Sequence, residues 1–190
     1  MRVLGLSGNV KRPSRTASLV AAVLSRVREH PGTSGELVDA APVLFQALRA
    51  DQLDGEGKAI IDRVEAADVL VVGSPVYRAS YTGALKHLFD LVDYHALSGK
   101  RVILAATGGS VRHALMIEHQ FRPLFGFFGA LTLSTAIYAV EEDFAGYEVA
   151  SPAVLERIDR AVSELGLPAS ARDVAADAIG DRPPLLAANA

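Results

Sequence analysis

The sequence predicts an α/β fold in which helices cover both faces of a parallel sheet. Strand-like and helix-like segments alternate five times along the 190 residues. The strand-like segments are nearly continuous apolar runs, which is typical of strands that are buried on both faces. Half of the residues are hydrophobic and 22% are charged, so the chain has the composition of a globular domain with a full core.

The predicted strands are short apolar runs that end in glycine, proline or a polar residue. The first run, VLGLS, ends in Ser-Gly, and the strongest run, VLVVGSP, stops at Pro75. Five strands in this alternating arrangement favour the flavodoxin-like strand order 2-1-3-4-5. The predicted strands are 3–7, 36–40, 69–75, 101–109 and 131–140.

The predicted helices carry apolar residues at helical spacing, and capping residues precede the first and the last of them. Ser14 is the candidate cap of the first helix, and Ser151 followed by Pro152 begins the last one. Residues 1–166 therefore form one domain, and residues 167–190, rich in Ala, Pro and Asp, are expected to be a flexible tail. The predicted helices are 14–30, 57–68, 81–95, 110–130 and 151–166.

The fourth predicted helix contains a defect, because Pro123 lies in its interior. A proline there removes a backbone donor and presses on the carbonyl four residues earlier, which belongs to His119. A π-bulge can absorb such a defect, and such bulges are frequent at functional sites. We therefore expect an irregular helix between Met116 and Pro123, with a simple proline kink as the alternative.

Composition excludes several classes of function. The net charge of −3, with no long basic run, argues against nucleic acid as a partner. The chain has no cysteine, so disulfides, thiolate metal sites and cysteine nucleophiles are excluded. The five histidines show no ligand spacing with carboxylates, and no metal site is expected. No apolar stretch has membrane-spanning length and no signal peptide is recognisable, which indicates a cytoplasmic protein.

Sulfur is scarce in the sequence, since only Met1 and Met116 carry it. Codon bias in a GC-rich genome is one explanation. The other is that the protein is made when sulfur is limiting.

Three predicted loops lie at the carboxyl ends of strands, where open parallel sheets bind ligands. The loop 7–18 combines hydroxyls, basic residues and a helix start, a combination that suits a phosphate; Ser14, Arg15 and Thr16 are the candidates. It matches neither the dinucleotide nor the P-loop motif.

In the loop 73–80, Pro75 holds the backbone extended and Tyr77 projects. The loop 107–110 has paired glycines that let a flat ligand approach. Together the loops favour a mononucleotide with a planar ring, and FMN fits best.

Three stretches, SGNVKRPSRTASL, SPVYRASYTGALKHLFDLV and ATGGSVRHALMIEHQFRPLF, resemble the NAD(P)H-dependent FMN reductases of the flavodoxin-like fold. They are most similar to the branch that supplies reduced flavin to alkanesulfonate and methanesulfonate monooxygenases. The resemblance implies cofactors FMN and NAD(P)H. It implies that one group of residues holds the FMN phosphate and another the isoalloxazine. The phosphate group is Ser14, Arg15 and Thr16; the ring group is Pro75, Val76, Tyr77, Arg78, Thr107, Gly108 and Gly109.

The sequence departs from the alkanesulfonate branch at three positions. Asn9 replaces a serine and can still donate to a phosphate, whereas Lys11 replaces an arginine and offers no bidentate fork. His119 stands where that branch carries a tyrosine in a π-bulge, and methanesulfonate-linked relatives carry histidine. His119 is thus a candidate modulator, and no residue is assigned as catalytic.

The resemblance implies hydride transfer from the nicotinamide to FMN and delivery of reduced FMN to a separate two-component monooxygenase. One alternative is a reductase that retains FMN and reduces quinones or azo dyes. A flavodoxin-type electron carrier is the other, although such carriers tend to be more acidic. Apolar segments on the third and fourth helices also predict a homo-oligomer, a dimer or a tetramer.

Overall fold

A parallel sheet forms the centre of the molecule in the computed structural model, which describes residues 1–39, 47, 49–53 and 55–173. The main strands run in the order β2-β1-β3-β4-β5, so the predicted flavodoxin-like order is confirmed. Position 40, the end of the predicted second strand, lies outside the described residues. The strands are β1 (Arg2–Ser7), β2 (Ser34–Asp39), β3 (Val69–Pro75), β4 (Arg101–Thr107), β5 (Leu131–Thr132) and β6 (Ile137–Ala139).

Helices cover both faces of this sheet, as predicted. On one face, α1 and α5 bury residues such as Val20 and Ile158 against the sheet. On the other face, α2, α3 and α4 bury Ile60, Leu88 and Phe125. The helices are α1 (Arg15–Arg28), α2 (Gly55–Ala66), α3 (Gly83–Leu91), α4 (Arg122–Phe127) and α5 (Pro152–Ser163).

The fifth predicted strand, 131–140, is divided into two short strands. Both β5 and β6 pair in parallel with β4. Between them, the Arg122 guanidinium donates to the carbonyls of Leu133 and Ser134 at 2.7 and 2.9 Å. The N–H of Thr135 donates to the Glu164 carboxylate at 3.1 Å. Side chains at two helices therefore form hydrogen bonds with backbone groups that would pair with a neighbouring strand if this strand were continuous.

The fourth predicted helix, 110–130, is divided into three helical segments. The segment consists of a 3₁₀ turn (Val111–His113), a π-helix (Ile117–Phe121) and α4. The N–H of Arg122 donates to the Ile117 carbonyl, one residue further back than in an α-helix. The expected irregularity between Met116 and Pro123 is thus confirmed as a π-helix that contains His119.

A short antiparallel hairpin follows β6 and was not anticipated. It consists of β7 (Phe144–Ala145) and β8 (Glu148–Val149), which pair through Ala145 and Glu148. Gly146 has φ 65° at the turn, a left-handed conformation that glycine adopts without strain. The hairpin lies beyond the carboxyl end of the sheet and becomes part of the site described below.

Residues 167–173, the first part of the predicted tail, lie against the domain. The Nδ1 atom of His30 is 2.8 Å from the Pro168 carbonyl oxygen, and Ser170 is buried. The rest of the predicted tail, 174–190, lies outside the described residues, so its flexibility stays a prediction. Within the described residues, no helix is long and apolar enough to cross a bilayer.

Candidate flavin site

The amino end of α1 presents an anion-binding surface. Ser14 caps the helix, and its hydroxyl accepts the N–H of Ala17 at 3.1 Å. The first turn of α1 contains no acidic residue. The N–H groups of Arg15 and Thr16 have no helical carbonyl four residues before them, so they remain available to a ligand. This end of α1 therefore offers two amides, a hydroxyl hydrogen and the positive end of the helix dipole to an anion.

A buried hydroxyl pair joins the first loop to the third. The Oγ1 atoms of Thr16 and Thr107 lie 2.6 Å apart, and both residues are buried. Each hydroxyl carries one hydrogen, and the pair needs only one of the two for its own bond. The second hydrogen can be donated to a ligand. The pair also fixes the start of α1 against the end of β4.

Asn9 holds the first loop in a turn with one half of its amide. Its Oδ1 accepts the N–H of Lys11 at 3.0 Å. Its NH₂ group is a donor that this turn does not use. The amide of Asn9 can therefore donate to an anion, and its contact with a phosphate stays a prediction.

The second loop makes a tight turn in a strained conformation. Tyr77 and Ser80 exchange two backbone hydrogen bonds of 2.9 and 3.1 Å, and the residues between them, Arg78 and Ala79, have φ of 52° and 65°. A left-handed conformation costs a non-glycine residue about 1–2 kcal/mol, and such strain is concentrated at functional sites. The Ser80 hydroxyl also donates to Oε1 of Gln120 at 3.3 Å, so this turn contacts the π-helix.

The two glycines of the third loop have different surroundings. A Cβ at Gly108 would lie 1.9 Å from the hydroxyl of Tyr138, whereas a Cβ at Gly109 would meet nothing within 4 Å. The Tyr138 hydroxyl donates to the Ser110 carbonyl at 2.8 Å. Burial raises the pKa of Tyr138, which keeps the phenol protonated as a donor. Gly108 therefore makes room for Tyr138, and Gly109 leaves room for a ligand.

The three loops enclose one cleft of about 270 Å³ at the carboxyl ends of β1, β3 and β4. Among the described residues, Arg78 is the only predicted binding residue that does not line it. The predicted residues that the cleft brings together are Asn9, Ser14, Arg15, Thr16, Pro75, Val76, Tyr77, Thr107, Gly108 and Gly109.

Four further lining residues, which the sequence did not predict, come from the segment after β6. Val140, Glu141, Phe144 and Tyr147 close the side of the cleft next to α1. The sequence did indicate this hairpin, since Gly146 lies between two short runs that contain aromatic residues, as in a hairpin with a two-residue loop.

This segment holds the side chain of Arg15. The guanidinium forms an ion pair of 2.6 Å with Glu141 and donates from Nε to the Gly146 carbonyl at 3.2 Å. It also lies 5.4 Å from the centre of the Tyr147 ring. Arg15, the candidate phosphate ligand, therefore already has an anionic partner.

His119 lies outside the cleft. It lines a separate cavity of about 160 Å³ together with Ala79 of the second loop and Arg112 and His113 of the 3₁₀ turn. A larger cavity of about 880 Å³ lies between α2, α3 and α4. It contains none of the predicted site residues, so its size does not make it the ligand site.

The two ends of the cleft offer the kinds of contact that a mononucleotide needs. Anion donors are grouped at the α1 end, and the open backbone of Gly109 and the half-exposed Tyr77 lie at the other. The fold and this cleft define a flavodoxin-like protein with a site for a mononucleotide that has a flat ring.

Comparison with known proteins agrees with this assignment. The family model of the NADPH-dependent FMN reductases matches residues 1–145. The NADH-dependent FMN reductase SfnF of Pseudomonas fluorescens is 48% identical over 161 residues, which cover 83% of this chain and 86% of that protein. The FMN reductase (NADPH) of Pseudomonas aeruginosa is 46% identical over 160 residues, with coverage of 83% and 86%.

A solved structure of an NADH:FMN oxidoreductase, EMOB in its apo form, superimposes with a TM-score of 0.76 at 27% identity. The match covers 90% of this chain and 92% of that one. The chain belongs to the NADPH-dependent FMN reductase family. It is an NAD(P)H-dependent FMN reductase, and FMN and NAD(P)H are its redox partners.

Proposed function

We propose that this reductase releases reduced FMN to a separate flavin-dependent monooxygenase of the alkanesulfonate or methanesulfonate type. The π-helix Ile117–Phe121, with His119 inside it, is the observation that carries the proposal. The alkanesulfonate branch that the sequence resembles carries a tyrosine in a π-bulge at this position, and histidine there favours the methanesulfonate-linked relatives.

The residues of the cleft divide into two proposed groups. Asn9, Ser14, Arg15 and Thr16 would hold the phosphate. The loop Pro75–Arg78, together with Thr107, Gly108 and Gly109, would hold the isoalloxazine. When bound, FMN supplies the hydride-accepting chemistry. The chain binds and orients the ring, and this transfer needs no titrating side chain.

The size of the cleft supports exchange of the flavin. Its volume of about 270 Å³ lies near the lower limit of about 300 Å³ for sites that bury most of a drug-sized ligand. A flavin held there would keep part of its ring exposed. The exposed face is where a nicotinamide can stack, and limited burial favours release.

A filtration experiment tests release directly. The protein is mixed anaerobically with NADH and an excess of FMN, and free flavin is separated from protein by rapid ultrafiltration. We expect reduced FMN in the filtrate and a nearly colourless protein after buffer exchange. Flavin that stays with the protein through many turnovers would refute the proposal and favour a reductase that retains FMN and acts on quinones or azo dyes.

We propose further that the protein belongs to sulfur assimilation in the cytoplasm. Two methionines and no cysteine are what a protein made under sulfur limitation needs. Its level, measured by immunoblot, should rise when sulfate is replaced by a sulfonate. An unchanged level would leave codon bias as the explanation.

We propose also that the protein is a homo-oligomer, a dimer or a tetramer. Large apolar side chains are exposed around the π-helix and α4, including Leu115, Phe127 and Leu131 at 63%, 73% and 57%. Exposed apolar patches of this kind usually mark protein–protein contacts. His119 lies on the same segment, and we propose that it too lies at a subunit contact.

A further inference from the structure

We infer that Glu141 lowers the affinity of this reductase for the flavin phosphate. Its carboxylate forms an ion pair with the guanidinium of Arg15, which the phosphate must also contact. The inference rests on the proposed role of Arg15 as a phosphate ligand. It identifies an affinity-determining residue outside the three loops in which the flavin contacts were expected.

The geometry places the two charges in direct competition. Glu141 lines the same cleft as Ser14 and Thr16, and its Oε1 is 2.6 Å from a terminal nitrogen of Arg15. A phosphate bound at the start of α1 would carry a charge of about −2 at neutral pH. It must either displace the carboxylate or bind beside a like charge, and both reduce the affinity.

Arg15 does not depend on Glu141 for its position. The Nε donor bond to the Gly146 carbonyl and the contact with the Tyr147 ring hold the guanidinium against the hairpin. The ion pair itself is exposed, with side-chain exposures of 35% for Arg15 and 70% for Glu141, and exposed pairs contribute little to stability. Neutralising Glu141 should therefore leave Arg15 in place and free its charge for the phosphate.

The test compares FMN with riboflavin, which has the same ring and no phosphate. In Glu141→Gln, the Kd of FMN and its KM should fall by about threefold to fivefold, the effect of one contact between exposed charges. The Kd of riboflavin should stay unchanged. The gain should shrink as salt is added, because salt screens exposed charges. Flavin fluorescence quenching measures the two Kd values, and initial rates of NADH oxidation give the KM.

Two variants separate the contact from other effects. Glu142→Gln removes the same charge from an exposed neighbouring residue and should leave the Kd of FMN nearly unchanged. In an Arg15→Gln background, which itself should weaken FMN and not riboflavin, Glu141→Gln should lose its effect. A merely structural role of Glu141 would instead alter the affinities for both flavins.

Three results would overturn the inference: FMN affinity that is unchanged or weaker in Glu141→Gln, equal tightening of FMN and riboflavin, or the same gain in Glu142→Gln. If the unmodified protein binds and reduces FMN in these cases, only the role of Glu141 fails. If the unmodified protein does not bind FMN, the proposed function fails together with the inference.

Discussion

At the scale of single residues, the third loop shows that two adjacent glycines have different functions. Gly108 lies against the Tyr138 phenol, and Gly109 faces open space. From the sequence, both glycines are predicted to let a flat ligand approach the backbone. The open space at Gly109 agrees with this prediction, whereas the missing side chain of Gly108 makes room for Tyr138.

Replacing Gly108 with alanine should destabilise the protein. The new Cβ would lie 1.9 Å from the Tyr138 hydroxyl, which is fixed by its bond to Ser110. Overpacking of this kind costs about 1–3 kcal/mol. Urea denaturation of Gly108→Ala should show a free energy of unfolding that is lower by this amount.

The neighbouring position supplies a matched control for this prediction. Gly109→Ala should change the free energy of unfolding by no more than about 0.5 kcal/mol, since nothing lies within 4 Å of its Cβ. Adding Tyr138→Phe to Gly108→Ala should restore part of the lost stability. Equal stability of the two alanine variants would contradict the packing role of Gly108.

At the scale of elements, Arg122 connects the π-helix to the divided fifth strand. It forms an ion pair with Glu118 and donates to Thr132, Leu133 and Ser134. The residue fixes the carboxyl end of the π-helix. A change in the length of the helix must therefore be absorbed on the amino side, towards the loop with Gly109.

Deleting His119 should convert the π-helix into a regular α-helix. The bond from Arg122 to Ile117 spans five residues, and the deletion would shorten it to four. With Arg122 fixed, the segment 110–118 would rotate and draw the Gly109 loop towards the ring end of the cleft. We expect FMN to bind more tightly, by about tenfold or 1.4 kcal/mol, and the release of reduced FMN to be lost.

A substitution separates the length of the helix from the chemistry of the imidazole. His119→Ala keeps all five residues of the π-helix and should keep the flavin exchangeable. Kd by fluorescence quenching and reduced FMN in the ultrafiltrate provide the two readouts. If the deletion variant binds and releases FMN like the unmodified protein, the π-helix has no role in flavin exchange.

At the scale of the whole molecule, the elements that the sequence predicted well are those dominated by local burial. The run 69–75 is buried throughout and is a strand over its full predicted length. Ser14 caps α1 because its hydroxyl satisfies a helix amide within the same short segment. Both features depend on neighbours in sequence, so a pattern of residue types is enough to locate them.

The features that the sequence did not predict depend on distant partners. The run 131–140 is apolar enough for one strand, and it is divided because Arg122 and Glu164 bind its backbone. The cleft residue Glu141 lies 126 positions from its partner Arg15. No local pattern encodes such contacts. The sequence therefore predicts the three loops of the cleft but not the lining residues that follow β6.

The proposed assembly leads to a prediction about one exposed side chain. Phe127 ends α4 with 73% of its surface exposed, near the β5 edge of the sheet. If this surface forms the subunit contact, Phe127→Gln should remove a central apolar contact and raise the dissociation constant by about tenfold or more, as for an interface hot spot. Sedimentation velocity at micromolar protein should then show a shift towards the monomer.

Leu37 provides the control, because it is 40% exposed on β2, at the opposite edge of the sheet from β5. Leu37→Gln removes a comparable apolar side chain and should leave the sedimentation coefficient unchanged. An unmodified protein that sediments as a monomer would refute the oligomer. An oligomer that is insensitive to Phe127→Gln would place the contact on another surface.

Because His119 lies on the segment next to α4, loss of assembly should also increase its accessibility, which faster modification by diethyl pyrocarbonate would reveal.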